Sequence, residues 1–451
     1  MRAVTQRLSE FVSRTQLADI PADVQHQAKR TLLNYFGCAC GGCGHEAVEA
    51  VIGAKGPWSG PVVSTVIGRN LAYDPCLAAL LNGMSSAVYS FDDTHRDAIV
   101  HPGGPVASAV LALTQETTVT GADLLLAFIL GAEIVCRVSK AISVPPAQVR
   151  QEWVQTGICA GIGAAAACAR LLALTARETT SAIGIASCRS SGFRGLSRSM
   201  CFSYMAGSAA EAGLSSAQLA KAGMVGPEEP LDGKQGYCAA FSNAPDMEYL
   251  TSDLGVRYEL LNNTFKPYPC GVVIHPVIDA CLVLADSVPN PGGIAKIRIK
   301  VNPAVERLSN MPEPKDQFEA QTSLQHWAAC AFLDRAASIQ QTTDEKLQSA
   351  EIAALRRLVE IETDPAIPRS GAAVVVDLQS GDTFAEKVLD CRGSANLPLT
   401  DAEIEAKFNA QAVPILGPKN ARKLAQACWV VETLSDASVL MQFAEGAKEC
   451  R

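Results

Sequence analysis

The sequence predicts a mainly α protein, in which N-terminal and C-terminal parts build one large helical domain and a smaller α+β domain is inserted between them. Three observations carry this prediction. Apolar residues recur at helical spacing almost without interruption from the start of the chain to about residue 260. Period-two alternation is confined to the stretch that follows Asn262. A helix start signal then returns at Leu399, so the expected segments are 1–263 helical, 264–398 α+β and 399–451 helical.

Taken in order, Val24, Ala28, Leu32 and Phe36 follow Pro21 at near-helical spacing. Asp74 and Pro75 open the next helix, "DPCLAALLNGMSSAVYS", as capping residue and first-turn proline. Gly121 to Asp123 begin a long apolar helix, and "TGICAGIGAAAACARLLAL" is a Gly/Ala-rich one. Its small residues let neighbouring helices approach closely, which places it centrally in a helical core. The one strand signal in this half is "PVVSTVIG". Beyond Asn262, "AKIRIKV" alternates Ile297, Ile299 and Val301 with charged residues. "AAVVVDLQSGDTFAEKV" reads as two strands joined by a turn at Ser380, Gly381 and Asp382. Between them, "AQTSLQHWAACAFLD" and "TDEKLQSAEIAALRRLVEIE" read as helices. In "LTDAEIEAKF", Thr400 is an N-cap and Glu403 completes a capping box. The final helices, including "KLAQACWVVETL", are expected to rejoin the first domain.

The chain has 451 residues, with 38 basic against 46 acidic side chains and no block of like charge, so neither nucleic acid nor an anionic membrane is an expected partner. Two apolar stretches invite a membrane reading. "LLLAFILGAEIVCRV" is interrupted by Glu133 and Arg137, and the Gly/Ala segment lacks the large residues that partition into lipid, so both read as buried helices. The 16 cysteines are scattered through apolar segments and point to a reducing compartment. A cytoplasmic protein is expected, or a mitochondrial-matrix one in a eukaryote. Arg2, Arg7 and Arg14 faintly resemble a presequence, but Glu10 and Asp19 argue for a structured helix.

The chain has six histidines. His26 sits among charged neighbours and reads as a surface residue, and His45 follows a glycine-rich turn in a position to cap a helix. The other four have distinctive settings. His95 and His101 lie in "SFDDTHRDAIVHPGG", with Asp92, Asp93 and Thr94. His275 lies in "FKPYPCGVVIHP", with Lys266, Tyr268 and Cys270, and His326 lies in "SLQHW". Each segment admits two readings. The first could be a loop whose Asp92 and Thr94 cap a turn, or the wall of a site. The second could be a hinge with a capped helix after Pro276, or a rigid cationic turn for an anionic ligand. "CACGGC" (Cys38, Cys40, Cys43) has cluster-like spacing but no evident fourth ligand, so small buried thiols are the better reading and no metal is expected. The G-x-S-x-G, Walker A and G-x-G-x-x-G motifs are lacking, which leaves acid–base chemistry by His, Lys, Asp and Tyr.

"FDDTH" followed by "HPGGPVASAVLAL", then "AGIGAAAACARLLAL", "AGSAAEAGLSSAQLAKAGM", "FKPYPCGVVIHPVIDACL", "SLQHWAACAFLD" and "LTDAEIEAKF" resemble, in this order, the motifs of the MmgE/PrpD family over nearly the whole chain. The resemblance implies a helical main domain, an α+β lid, a homodimer and no metal or organic cofactor. It also implies a small carboxylic acid as substrate. Known family activities are dehydration of 2-methylcitrate, decarboxylation of cis-aconitate and epimerisation of iminodisuccinate, all at carbon beside a carboxylate. Carried over to this sequence, His101, His275, Lys266 and Asp93 are candidate catalytic residues, with Thr94, His95, Tyr268 and His326 as substrate-binding candidates lining a cleft.

Four positions depart from the family pattern. Ser90 stands where many members have aspartate, Val154 and Met205 where they have histidine, and Phe202 where they have lysine. Val154, Phe202 and Met205 would offer apolar contact in place of donors to carboxylates, each such charge-assisted bond being worth roughly 1.5 to 3 kcal/mol. The expectation is a cofactor-independent lyase acting on a citrate- or aconitate-like acid with fewer carboxylates or an alkyl substituent. The alternatives are an epimerase on the same scaffold and a dimeric binding protein that has lost catalysis.

Overall fold

The computed structural model describes residues 4–446. Its elements are 58% helix and 9% strand by residue, a mainly α chain. It divides into two compact units. The first comprises the described residues up to Val88, Asp92–Thr264 and the described residues from Thr400; the second comprises Tyr89–Phe91 and Phe265–Leu399.

In the first unit the expected helix signals act where the sequence places them. Helix Ala22–Gly42 follows Pro21. Asp74 accepts hydrogen bonds from the Cys76 and Leu77 amides and starts Pro75–Ala87. Thr120 caps Gly121–Ser143, and Thr400 and Glu403 form a reciprocal capping box at the head of Asp401–Trp429. That last helix is kinked at Gly417, whose φ of 74° and following Pro418 interrupt the hydrogen-bond ladder.

The Gly/Ala helix, Gln155–Leu171, is buried from Gln155 through Ala169. Its neighbours come close because side chains are missing. A Cβ on Gly163 would lie 2.3 Å from Val135 Cγ2, and one on Gly213 would lie 2.3 Å from Ala164 Cβ. Helices Gly121–Ser143 and Cys201–Lys221 therefore pack directly against its backbone. Glu133 and Arg137, which interrupt the apolar run of Gly121–Ser143, are fully buried as an ion pair of 2.6 Å. Arg137 also donates to the carbonyls of Tyr249, Ser252 and Arg257, which fastens segment 249–257 to the helix. Among the described residues no helix is long and apolar enough to cross a membrane.

"PVVSTVIG" contains strand Ser64–Thr65, paired antiparallel with Ala72–Tyr73. His45 caps helix Glu46–Lys55 by accepting from the Ala47 amide, and half-exposed His26 stacks on Trp429 while pairing with Asp401. Cys38, Cys40 and Cys43 are buried near the end of Ala22–Gly42, and burial pushes the Cys40 thiol well above its ordinary range.

The second unit holds a four-stranded sheet in the order Val359–Thr363, Ile294–Val301, Ala372–Leu378, Thr383–Val388. Ile297 and Ile299 face Val376 and Val374 across the antiparallel pair, and these side chains pack with helices His275–Ser287 and Leu324–Asp334 in one apolar core. Lys296, Arg298 and Lys300 form ion pairs with Glu360, Asp377 and Glu362. The hairpin turns at Ser380–Asp382, with Gly381 at φ +94°.

One element differs from expectation. "TDEKLQSAEIAALRRLVEIE" is two short helices, Asp344–Gln348 and Ala350–Arg357, separated at Ser349, and its last residues leave the helix for the edge strand Val359–Thr363. That strand lies parallel to Ile294–Val301, with Val359 opposite Ile297 and Ile361 opposite Ile299. The helical spacing of the preceding residues hid it, because its β-branched side chains find their partners some sixty residues upstream.

Candidate active site

In the first unit, the chain from Asp92 to Gly103 folds back so that both of its ends meet. Asp93 is buried, and its carboxyl accepts from the Gly103 amide at 2.9 Å and from Asn263 Nδ2 at 2.8 Å. Pro102 precedes helix Gly103–Leu113 without capping it, so Asp93 supplies a cap from ten residues away. The first glycine of "HPGG" is required for this, since a Cβ there would sit 2.5 Å from Asp93 Oδ1. Burial, and then the neighbouring charge of Asp92, raise the Asp93 carboxyl above its ordinary range, against the opposing hydrogen bonds.

His101 lies at the partly exposed end of this fold. Its Nδ1 is 2.8 Å from the Asp93 carbonyl oxygen, 3.1 Å from Thr94 Oγ1 and 3.6 Å from Asp92 Oδ2. A carbonyl can only accept, so Nδ1 carries the proton and the neutral ring presents its lone pair at Nε2. The His101 amide donates to Thr156 Oγ1 at 3.0 Å, which ties this residue to the first turn of the Gly/Ala helix. Asp93 thus orients the imidazole through its backbone rather than its carboxyl, and the carboxylate beside the ring is that of Asp92. Adjacent aspartates look alike in sequence, and Thr156 and Asn263 carried no signal there at all.

The second unit holds Lys266, buried, with Nζ 3.0 Å from the Ser90 carbonyl and 3.2 Å from Ser90 Oγ. Ser90 has φ +50°, a left-handed conformation that turns its carbonyl and its hydroxyl toward the same ammonium. His275 heads helix His275–Ser287, buried, with Tyr268 edge-on at 5.4 Å between ring centroids.

The three other substrate-binding candidates each have polar partners inside the chain. His95 is fully buried; its Nδ1 accepts from the Ala98 amide and its Nε2 pairs with Glu259. The Tyr268 hydroxyl donates to Asp279 at 2.6 Å, and Asp279 in turn accepts from the Arg392 amide. His326 is fully buried, with Nε2 2.7 Å from the Gln341 carbonyl and Nδ1 3.5 Å from Arg356, and burial lowers its pKa to about 4. The structure brings His101 together with Asp92, Asp93 and Thr94, and Lys266 with Ser90.

The family model of the MmgE/PrpD N-terminal domain matches residues 6–250, and that of the C-terminal domain matches residues 268–432. The chain belongs to the MmgE/PrpD family. It is 25% identical to cis-aconitate decarboxylase of Mus musculus, over 99% of this chain and 94% of that protein. It is 25% identical to cis-aconitate decarboxylase of Homo sapiens, over 99% and 95%. It is 27% identical to cis-aconitate decarboxylase-like protein oryM of Aspergillus oryzae, over 98% and 97%.

Within this MmgE/PrpD protein, two of the apolar departures cluster beside the first turn of the Gly/Ala helix. Val154 is buried and donates its amide to the Gly192 carbonyl at 3.1 Å. Met205, also buried, lies over the glycines at 157 and 192, where an added Cβ would come within 2.5 Å and 2.3 Å of its sulfur. Thr156, between Val154 and Gly157, is the residue that holds the His101 amide. Phe202 is half-buried, one turn before Met205 on helix Cys201–Lys221. Among the described residues no group of three or more His, Cys, Asp or Glu side chains is arranged to hold a metal ion.

Proposed function

We propose that this protein is a lyase of the MmgE/PrpD family that removes CO2 or water from carbon beside a carboxylate, with His101 as the proton-transfer residue. The observation that carries this reading is the fixed ring of His101, with Nδ1–H on a backbone carbonyl and Nε2 left for chemistry. In a decarboxylation, the bond from carbon to the departing CO2 breaks and its electron pair passes into an enolate-like carbanion. The imidazolium Nε2–H protonates that carbon, while the Asp93 carbonyl and the Asp92 carboxylate, 3.6 Å from Nδ1, face the other nitrogen of the ring. In a dehydration, neutral Nε2 takes the proton and hydroxide leaves. In the second unit, Lys266 and His275 are candidates by the family resemblance alone, Lys266 for holding a carboxylate and His275 for acid–base work. Neither outcome needs a cofactor. The relatives named as cis-aconitate decarboxylases favour the first.

The finer reading concerns the substrate. Val154 and Met205 make an apolar surface next to the residue that anchors His101, and the half-buried Phe202 adds a third apolar side chain. We take the preferred acid to be related to cis-aconitate or 2-methylcitrate, with one carboxylate fewer or an alkyl group in its place. The test is a panel of cis-aconitate, 2-methylcitrate and alkyl-substituted analogues, followed by CO2 release and by ultraviolet absorbance of the alkene. Turnover of unsubstituted cis-aconitate or 2-methylcitrate at ordinary enzymatic rates would contradict the alkyl preference. No proton-transfer chemistry on any of these acids would contradict the lyase.

A further inference from the structure

We infer that His95, together with Glu259, is a positioning residue for His101, acting through the turn between them; this rests on the reading of His101 as the proton-transfer group. His95 and Val100 exchange both backbone hydrogen bonds, at 2.9 and 3.4 Å, so residues 95–100 form a closed turn that delivers His101 directly after it. Inside that turn Ile99 has φ +51°, a left-handed conformation that a β-branched residue adopts only when its surroundings impose it.

What imposes it is visible. His95 Nδ1 accepts from the Ala98 amide at 3.1 Å, and Ser139 Oγ donates to the Ala98 carbonyl at 2.6 Å, so Ala98 is gripped from both sides. An acceptor at Nδ1 leaves the proton on Nε2, which donates to Glu259 Oε2 at 3.2 Å. Glu259 is itself anchored. Lys140 donates to Oε1 at 2.8 Å and the Glu259 amide donates to Glu133 at 2.6 Å, so the ring is referred to helix Gly121–Ser143. Burial opposes the Glu259 charge, but the bonds from His95 and Lys140 outweigh it and bring the carboxyl down to about 2. His95 therefore has the tautomer opposite to that of His101, each set by its own backbone partner. Loosening His95 would let Ile99 relax and move His101 off the Asp93 carbonyl and Thr156.

The experiment compares H95A, H95N and wild type. The asparagine side chain of H95N keeps an acceptor within reach of the Ala98 amide but is too short for Glu259. H95A is expected to lower kcat about 10- to 100-fold, the usual consequence of misplacing a reacting group by an ångström, with KM changed less than about threefold. The histidine limb of the pH–rate profile is expected to move, and H95N to recover at least half of the lost decades. Nitrogen NMR of histidine-labelled protein reads the same event without turnover: His101 should pass from a single Nδ1–H form to a tautomer mixture in H95A. A His101 that keeps one tautomer, with kcat and the pH limb unchanged, overturns the inference. Should His101 variants prove fully active, the functional reading fails, and the tautomer measurement still decides the positioning role. If H95A does not fold, H95Q, which retains a donor for Glu259 but offers Ala98 no ring acceptor, is scored by the same criteria.

Discussion

Replacing His101 by alanine should separate catalysis from folding, because the ring contributes to each by a different amount. In the folded chain its Nδ1–H is shared between the Asp93 carbonyl at 2.8 Å and Thr94 Oγ1 at 3.1 Å, and its side chain is 22% exposed. A neutral bond of this kind contributes about 0.5 to 1.5 kcal/mol net, so the expected loss of stability is about 1 kcal/mol. Removing a proton-transfer group lowers the rate about 10²- to 10⁴-fold. At about 1.36 kcal/mol per tenfold this is roughly 3 to 5 kcal/mol of barrier. His95 supplies the contrast, being fully buried with one bond to a backbone amide and one to a carboxylate, so H95A should destabilise more than H101A by about 1 to 3 kcal/mol. The assay is kcat/KM by CO2 release on the best acid, alongside urea unfolding followed by circular dichroism. A rate loss under about tenfold, or an unfolding midpoint for H101A as low as that for H95A, would refute the catalytic assignment and make His101 a structural residue.

The remaining predictions concern charge. In S90D a carboxylate replaces the hydroxyl 3.2 Å from Lys266 Nζ and competes with a substrate carboxylate, so KM should rise at least about tenfold with kcat nearly unchanged; equal KM values would remove Lys266 from substrate binding. F202K puts a cation at a half-buried position and should improve kcat/KM for the more highly charged acids about 10- to 100-fold relative to alkyl-bearing ones, which competition assays would read. Stability should fall as pH drops from about 6.5 to about 4, because buried His326 resists protonation until about 4 while the unfolded chain takes up its proton near 6.5. The unfolded state then holds more protons inside that window, and the stabilisation is fully present above it. The size is about 3 kcal/mol for this ring, and the pH slope of the urea midpoint should flatten in H326N. An unchanged slope would mean that the ring titrates normally in the folded chain.

Much of this protein could be read from the sequence by itself, and those parts share a physical reason: the determining contacts are local. Asp74 with Pro75, Thr400 with Glu403 and the Ser380–Asp382 turn act within a few residues, and the small residues from Gly157 to Ala169 announce a helix that others must approach closely. The grouping of Asp93, Thr94 and His101 was legible for the same reason, since the chain returns to itself within ten residues. Tertiary structure decided the rest, because the atoms that set each role come from distant positions. Lys266 meets Ser90 across 176 residues, His95 meets Glu259 across 164, and Val359–Thr363 becomes a strand only beside Ile294–Val301. A histidine that holds a fold together and one that moves a proton are the same side chain in a sequence. Burial and the identity of the atom facing each ring nitrogen distinguish them, and both exist only once the chain has closed.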